Sequence, residues 1–357
     1  MWDVAIVGGG PAGASCAASC ARAGLRTLLF ERAIFPREKV CGDCVNPAAW
    51  SVLERLGVAA EVRAAPHAKL TRVDFIDLNG RAISSSLPAG KAAEISIRRS
   101  LLDQLLLRRA ESLGAEVREG ETLLSVGRGD HWKIQTERSA EEAPILVAAD
   151  GRNSTVARLC NLMPRKTPDR VAWQTHIPLP HGFGDRIVLQ LLPEGYSGQA
   201  PVGENLLNLC LVSRPGDRES IRRWAEKQFA IPPAHPWRTI APLARVALPP
   251  TAPGLFLIGD AARVVEPFTG EGIYYALRSG ELAAEAIASA DPQRYFAAHQ
   301  RLYAGRLWIN HLARFAVEHP RVAGRILRVL PFRERVLAAL TSKVVPSSSR
   351  AQSRGSR

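Results

Sequence analysis

Hydrophobic and polar positions along the chain fall into a readable order. Residues 2–7 (WDVAIV) form a short apolar run of strand length, and 11–24 is an Ala-rich stretch of helical length. Residues 26–31 (RTLLFE) are a second apolar run. Strand, helix and strand in this order predict a βαβ unit, and hence a parallel sheet at the start of the chain. A segment punctuated by Pro and Gly (35–47) leads to a helix predicted over 48–56. Residues 71–87 (TRVDFIDLNGRAISSSL) read as a hairpin turning on Asn79-Gly80. Apolar side chains recur at helical spacing over 99–113, Gly114 ends that helix, and strands follow through 144–150. From 170 to 245 short β-like runs alternate with Pro and Gly, as in an antiparallel sheet. GLFLIGDAA (254–262) is again a buried strand running into a turn, 270–289 is a long helix, and 294–343 is helical. The last stretch, 346–357 (PSSSRAQSRGSR), is too polar to fold.

The fold class expected is α/β: a parallel-sheet domain interrupted by an inserted antiparallel β-sheet domain and closed by C-terminal helices. The boundaries expected are 1–70, 91–160 and 246–290 for the three parts of the first domain, and 71–90 and 161–245 for the inserted one. Basic helices follow over 291–345, then a disordered tail over 346–357.

Composition narrows the class. With 46% hydrophobic and 23% charged residues, the chain is an ordinary globular one, which excludes collagen-like, coiled-coil and wholly disordered readings. The formal charge of +13 is more telling, because +11 of it lies from Arg294 onward and the preceding body is nearly neutral. Six cysteines are too few for a disulfide scaffold, so a reducing, cytoplasmic setting is expected. The opening strand leaves no room for a signal peptide, and no apolar run approaches the ~20 residues a spanning helix needs. Membrane contact is therefore expected to be peripheral.

Gly8-Gly9-Gly10-Pro11-Ala12-Gly13 contains G-x-G-x-x-G between a strand and a helix, and Glu31 closes the next strand 18 residues past Gly13. Gly8 makes the tight turn, Gly10 lets backbone approach a pyrophosphate, and Gly13 lets helix and strand pack closely. Pro11 and Ala12 open a helix whose N-terminus favours anions. Glu31, followed by Arg32, would accept hydrogen bonds from ribose hydroxyls. These residues predict a bound dinucleotide.

Two further motifs indicate which one. Ala148-Ala149-Asp150-Gly151-Arg152-Asn153-Ser154 resembles the "DG" motif, and Leu257-Ile258-Gly259-Asp260-Ala261-Ala262 the "GD" motif, of the para-hydroxybenzoate-hydroxylase-like flavoproteins. Pro267 to Gly280 (PFTGEGIYYALRSG) is similar to the geranylgeranyl reductase branch of that superfamily. The resemblance implies FAD, held in a Rossmann-type, glutathione-reductase-like domain, with the inserted antiparallel β-sheet as the substrate domain. It assigns Asp260 to the ribityl chain and Asp150 and Gly151 to the pyrophosphate region. Pro267, Gly270, Gly272 and Ile273 fall at a helix N-terminus facing the flavin's electron-rich edge. Arg99 and Asp103 match the family's R-x-x-x-D element, and Leu123 a position whose backbone meets the adenine.

The segment FPREKVCGDCVNP (35–47) resembles the loop that carries a Lys-x-Cys-Gly element beside the flavin, so Cys41 and Gly42 are further site candidates. Cys41 and Cys44 form C-x-x-C, but no second pair or His cluster accompanies them, so no metal is expected. The branch's aromatic Y-x-W-x-F-P motif is incomplete: the nearest match, Gly195 to Gly203, has Tyr196 but lacks the second aromatic. Tyr196 and Trp173 are candidates for the wall of a substrate pocket, or plain core.

The resemblance implies a flavin reduced by NAD(P)H or another donor, without a second nucleotide fold, acting on a lipophilic small molecule. Reduction of C=C bonds is the preferred expectation, and hydroxylation of an aromatic or polyketide compound the alternative. Nucleic-acid binding is not expected, since the basic end lacks an aromatic platform. Its Arg residues accompany Val322, Ile326, Leu327, Leu330, Val336, Leu337 and Leu340 at helical spacing. Residues 321–343 therefore read as a basic amphipathic segment, lying on an anionic membrane at its cytoplasmic face or packed on the body with a solvated Arg face. Oligomeric state is open.

Overall fold

Val4–Val7 forms a central strand of a six-stranded sheet, which explains why all four of its residues are apolar and buried. The computed structural model describes residues 1–164, 169–305 and 307–329, together with Ala339 and Thr341. The sheet runs in the order Thr251–Ala252, Leu255–Leu257, Ile145–Ala148, Val4–Val7, Thr27–Glu31 and Glu116–Glu119. Every neighbouring pair is parallel except the first.

Helix Pro11–Arg22 follows the central strand and buries its first ten residues. Its small side chains allow unusually close packing on helix Gly272–Ala288. A Cβ placed on Gly280 would lie 2.3 Å from the Ala12 carbonyl oxygen, so the two backbones nearly touch. Ser15 Oγ donates to the Leu277 carbonyl at 2.8 Å across the same contact. Helix Arg99–Ser112 contributes Leu102, Leu106 and Leu107 to this core.

A seven-stranded sheet forms the other half of the molecule. Its order is Arg238–Ile240, Val171–Pro178, Leu206–Ser213, Gly195–Pro201, Arg186–Leu192, Arg72–Ile76 and Ala82–Ser86. The last two strands are the hairpin around Gly80, where Asp77 accepts from the Asn79 and Arg81 amides. Pairing is antiparallel except between Arg186–Leu192 and Arg72–Ile76, which run parallel. The sheet is thus mixed, a correction to the wholly antiparallel expectation. A parallel neighbour needs no hairpin, and the alternation that marks a half-buried strand does not reveal its direction.

Helix Arg218–Phe229, covering one face of that sheet, was not expected either. Charged residues dominate its sequence, and only Ile221, Trp224, Ala225 and Phe229 join the cluster of Leu207, Leu209 and Leu211. Near 48–56 the chain makes a 3-10 turn at Pro47–Ala49, capped by the Asn46 side chain, before helix Trp50–Leu56. The basic C-terminal region begins as helices Pro292–Tyr303, Leu307–Glu318 and Pro320–Val329. The first belongs to the core: Tyr295 is fully buried and its hydroxyl donates to the Leu257 carbonyl at 2.8 Å. Of the amphipathic stretch 321–343, residues beyond Val329 lie outside the described ones apart from Ala339 and Thr341, as does the whole of 346–357.

Candidate active site

A cavity of about 1230 Å³ begins at the C-terminal ends of the central strands and continues along one face of the seven-stranded sheet. Ligand sites of parallel sheets form at such strand ends. Of the residues singled out in the sequence, Gly8, Gly10, Pro11, Ala12, Glu31, Arg32, Cys41, Gly42, Arg99 and Leu123 line it. So do Asp150, Gly151, Tyr196, Asp260, Pro267, Gly270, Gly272 and Ile273. Gly13 and Gly259 do not line it; they act one layer behind. A Cβ on Gly13 would lie 1.8 Å from the Gly8 carbonyl oxygen, and one on Gly259 would lie 3.0 Å from Ala12 Cβ.

Two acidic residues also have structural work. Glu31 accepts from the Gly9 amide at 2.8 Å and the Ala33 amide at 2.9 Å, so it braces the glycine turn as well as lining the cavity. Asp150 Oδ2 accepts from the Thr155 and Val156 amides at the start of helix Thr155–Leu159. Its Oδ1 is buried without a partner, and burial raises the acid's pKa.

A set of basic side chains surrounds the middle of the cavity, and sequence reading did not single most of them out as ligands. Arg99 grips Asp103 through two bonds of 2.7 and 2.8 Å, both residues buried. Arg37 reaches the same Asp103 at 3.0 Å and stands 3.7 Å from Glu31. Arg152 lies 3.3 Å from Asp260, and Arg245 donates to the Asp260 and Ala261 carbonyls. Lys39 lies among them, its ammonium held down at about 8 by burial and by the Arg99 guanidinium. Arg37 and Lys39 flank the cysteine loop in sequence, and Arg152 sits inside the DG motif. The signal was present, but proximity across loops was not. The group fits an anionic dinucleotide: glycine backbone that approaches closely and basic side chains at mid-cavity.

The cysteine loop is tied to the seven-stranded sheet. The Cys41 carbonyl accepts from Asn208 Nδ2 at 2.8 Å and Cys210 Sγ at 3.2 Å, and Asp43 meets His176 Nε2 at 2.8 Å. Burial pushes the Cys41 thiol up, against the pull of Arg99, and pushes Cys44 well up. Both are thiols rather than thiolates near neutral pH, which weighs against a redox pair. Among the described residues no group of His, Cys, Asp or Glu is arranged to hold a metal.

Beyond the loop the cavity turns apolar. Ile187, Leu189 and Leu191 alternate along one strand and line it, with Val188 and Leu192 facing the opposite core. Val73 and Phe75 continue the wall from the hairpin. Tyr196 meets Phe268 edge-on, their centroids 5.2 Å apart, so the aromatic partner missing from the sequence motif comes from the turn before helix Gly272–Ala288. Trp173 packs instead with the Leu209 and Leu211 cluster, away from the cavity. Ile309, Leu312 and Phe315 of helix Leu307–Glu318 close the far side.

Residues 1–177 match the FAD binding domain family. Menaquinone reductase of Mycolicibacterium smegmatis is 31% identical over 325 residues, covering 83% of this chain and 78% of that protein. Digeranylgeranylglycerophospholipid reductase 1 of Methanopyrus kandleri is 29% identical, covering 83% and 84%. Among solved structures, a geranylgeranyl bacteriochlorophyll reductase-like protein of Thermoplasma acidophilum superposes with a TM-score of 0.73 at 24% identity, over 99% of this chain and 95% of that one. A flavin-dependent brominase superposes with a TM-score of 0.78 at 22% identity, over 99% and 97%. At such identities these two likenesses concern the fold.

Proposed function

This chain belongs to the geranylgeranyl reductase-like family of FAD-dependent oxidoreductases, and from that premise we propose that it saturates C=C bonds in the chain of a prenyl lipid, with NAD(P)H or another donor reducing its flavin. The observation that carries this reading is the continuity of one cavity, polar and basic at the glycine turn and apolar along Val73, Phe75, Ile187, Leu189 and Leu191. A hydrocarbon chain suits such a wall and a charged substrate does not. The named reductase relatives act on menaquinone and on a digeranylgeranylglycerophospholipid, both prenylated molecules.

FAD, when bound, supplies the redox chemistry, and the protein supplies position and charge. In this reading the turn Gly8 to Gly13 presents backbone N–H groups to the pyrophosphate, Arg37, Lys39, Arg99 and Arg152 balance its charge, and Glu31 accepts from ribose. Asp260 faces the ribityl chain. No side chain caps helix Gly272–Ala288, whose first residues line the cavity, so its positive end would be available to the electron-rich edge of a bound flavin.

Anaerobic incubation with a prenylated quinone and excess donor tests the reading. A product two hydrogens heavier is expected. A product that forms only in air and carries oxygen from O₂ instead identifies a hydroxylase.

A membrane surface is the proposed source of substrate. Trp308, Leu312, Phe315 and Val322 are each more than 40% exposed, and Leu312 and Phe315 also line the cavity. Arg301, Arg321 and Arg325 lie exposed on the same group of helices. No helix of the described residues is long and apolar enough to cross a bilayer, so the contact would be interfacial. The protein should sediment with anionic vesicles and much less with neutral ones. Serine at 308, 312 and 315 together should leave it in the supernatant with its FAD retained; equal sedimentation of both proteins would refute the contact. Deleting the region is a poorer test, because Tyr295 is part of the core.

A further inference from the structure

If the chain saturates C=C bonds, as proposed above, each turnover needs a proton as well as two electrons. We infer that Glu94 is the residue that delivers this proton to the substrate. Glu94 lies in strand Glu94–Ser96, the middle strand of a small three-stranded sheet, and lines the cavity with only 3% of its surface exposed. Strand Ala68–Leu70 pairs along one side and Cys44–Val45 along the other, and Trp50 Nε1 donates to the Ala93 carbonyl at 2.8 Å. The carboxyl is therefore held on a rigid element.

Unlike most of the buried acids, Glu94 has no charged partner. Asp103 is paired with Arg99, Glu266 with Arg170, Glu281 with Arg55, and Asp43 with His176. Glu94 Oε2 is buried with no hydrogen-bond partner. A Cβ on Gly270 would lie 4.0 Å from Oε1, so the acid stands beside the turn that opens the flavin-side helix. On the flanking strands Cys44 is the titratable neighbour and Lys69 is exposed, while Asp43 beyond Cys44 is engaged by His176. Glu271, next in the turn, is itself buried.

Desolvation without compensation keeps such a carboxyl protonated, and the Glu94 pKa is raised to about 8. Efficient proton donors have pKa values near the working pH. The competing O–H and S–H groups on this wall are weaker acids: burial drives Tyr196 and Cys44 well above their ordinary values. In the step proposed, one hydrogen with two electrons reaches one alkene carbon from the reduced cofactor. The Glu94 O–H bond breaks, its proton forms the C–H bond at the other carbon, and the carboxylate left behind regains a proton from water. The donor that reduces the flavin is the reductant overall.

Glu94→Gln keeps size and neutrality, so the holoenzyme should fold and retain FAD. Infrared difference spectra of the wild type, taken on either side of pH 8, should show a protonated carboxyl band lost at high pH; the variant should lack it. In single-turnover reactions with the pre-reduced enzyme, wild-type saturation in D₂O should place solvent deuterium at the carbon that Glu94 protonates, with a rate that falls as pH rises through about 8. The variant should be slower by about 100-fold or more, with that alkaline limb gone and flavin reduction by the donor unchanged. A variant within a few-fold of wild type, or a band unaffected by the substitution, overturns the donor role alone. A wild type that saturates no double bond overturns the functional reading, and the donor role with it.

Discussion

Gly13→Ala is expected to leave little folded, flavin-loaded protein. The added Cβ would sit 1.8 Å from the Gly8 carbonyl oxygen, 3.0 Å from the Gly8 carbonyl carbon and 3.1 Å from Ala149 Cβ. The first two contacts are with backbone, so no rotamer change relieves them. Either the turn opens or helix Pro11–Arg22 moves outward, and that helix is already in near backbone contact with Gly280. Repacking of this kind, with the cofactor turn displaced, should cost about 3–5 kcal/mol. Thermal melting and the flavin absorbance of the purified protein would measure it. Gly127→Ala is the control, since Gly127 has open space around it and no positive φ. It should change stability by no more than about 1 kcal/mol and leave the flavin bound. Normal FAD content in Gly13→Ala would show that the turn yields more easily than its contacts imply.

Legibility from sequence followed the range of each interaction. The glycine turn was readable because its constraint is local: the strand, the helix and Gly13 lie within a few residues of one another. Glu31 was placed at the cavity for the same reason, but its bonds to the Gly9 and Ala33 amides depend on loop geometry that spacing does not encode. Arg37, Lys39 and Arg152 converge from two loops on Asp103 and Asp260, and nothing local in their segments marks that convergence. Phe268 supplies the aromatic partner of Tyr196 from a turn 72 residues farther on, so a motif incomplete along the chain is completed in space. Helix Arg218–Phe229 was hidden by its charge, because a helix that covers a sheet with one narrow apolar stripe buries few side chains. Glu94 was invisible for a plainer reason: a glutamate in a short β-like run normally faces water, and only burial makes it unusual.

Arg170→Met is expected to destabilise the protein by about 3–5 kcal/mol, through the charge it leaves behind. Arg170 Nη2 and Nη1 reach the two Glu266 oxygens at 2.7 and 3.2 Å, with the side chains 6% and 3% exposed. Asp169 stands 3.7 Å away on the other side, and the Glu266 amide donates to Asn310 Oδ1. This knot joins the seven-stranded sheet to the turn Pro267–Thr269, which carries Phe268 and leads into helix Gly272–Ala288. Without the guanidinium, Glu266 is a buried carboxylate with no counter-charge, and it takes up a proton instead. The sign of the pH dependence follows. A carboxyl whose folded-state pKa is raised above its unfolded value binds its proton more tightly when folded, so its variant loses stability as pH rises above that unfolded value. Arg170→Met should therefore lie closest to wild type in mildly acidic buffer and fall farthest behind at alkaline pH. Arg170→Met with Glu266→Met removes the stranded charge and should recover most of the loss, because apolar replacement of a buried pair is commonly near neutral. Urea denaturation of the wild type and the two variants at two pH values measures the recovery. Equal losses in the single and double variants, independent of pH, would mean that lost packing rather than an unpaired charge sets the cost.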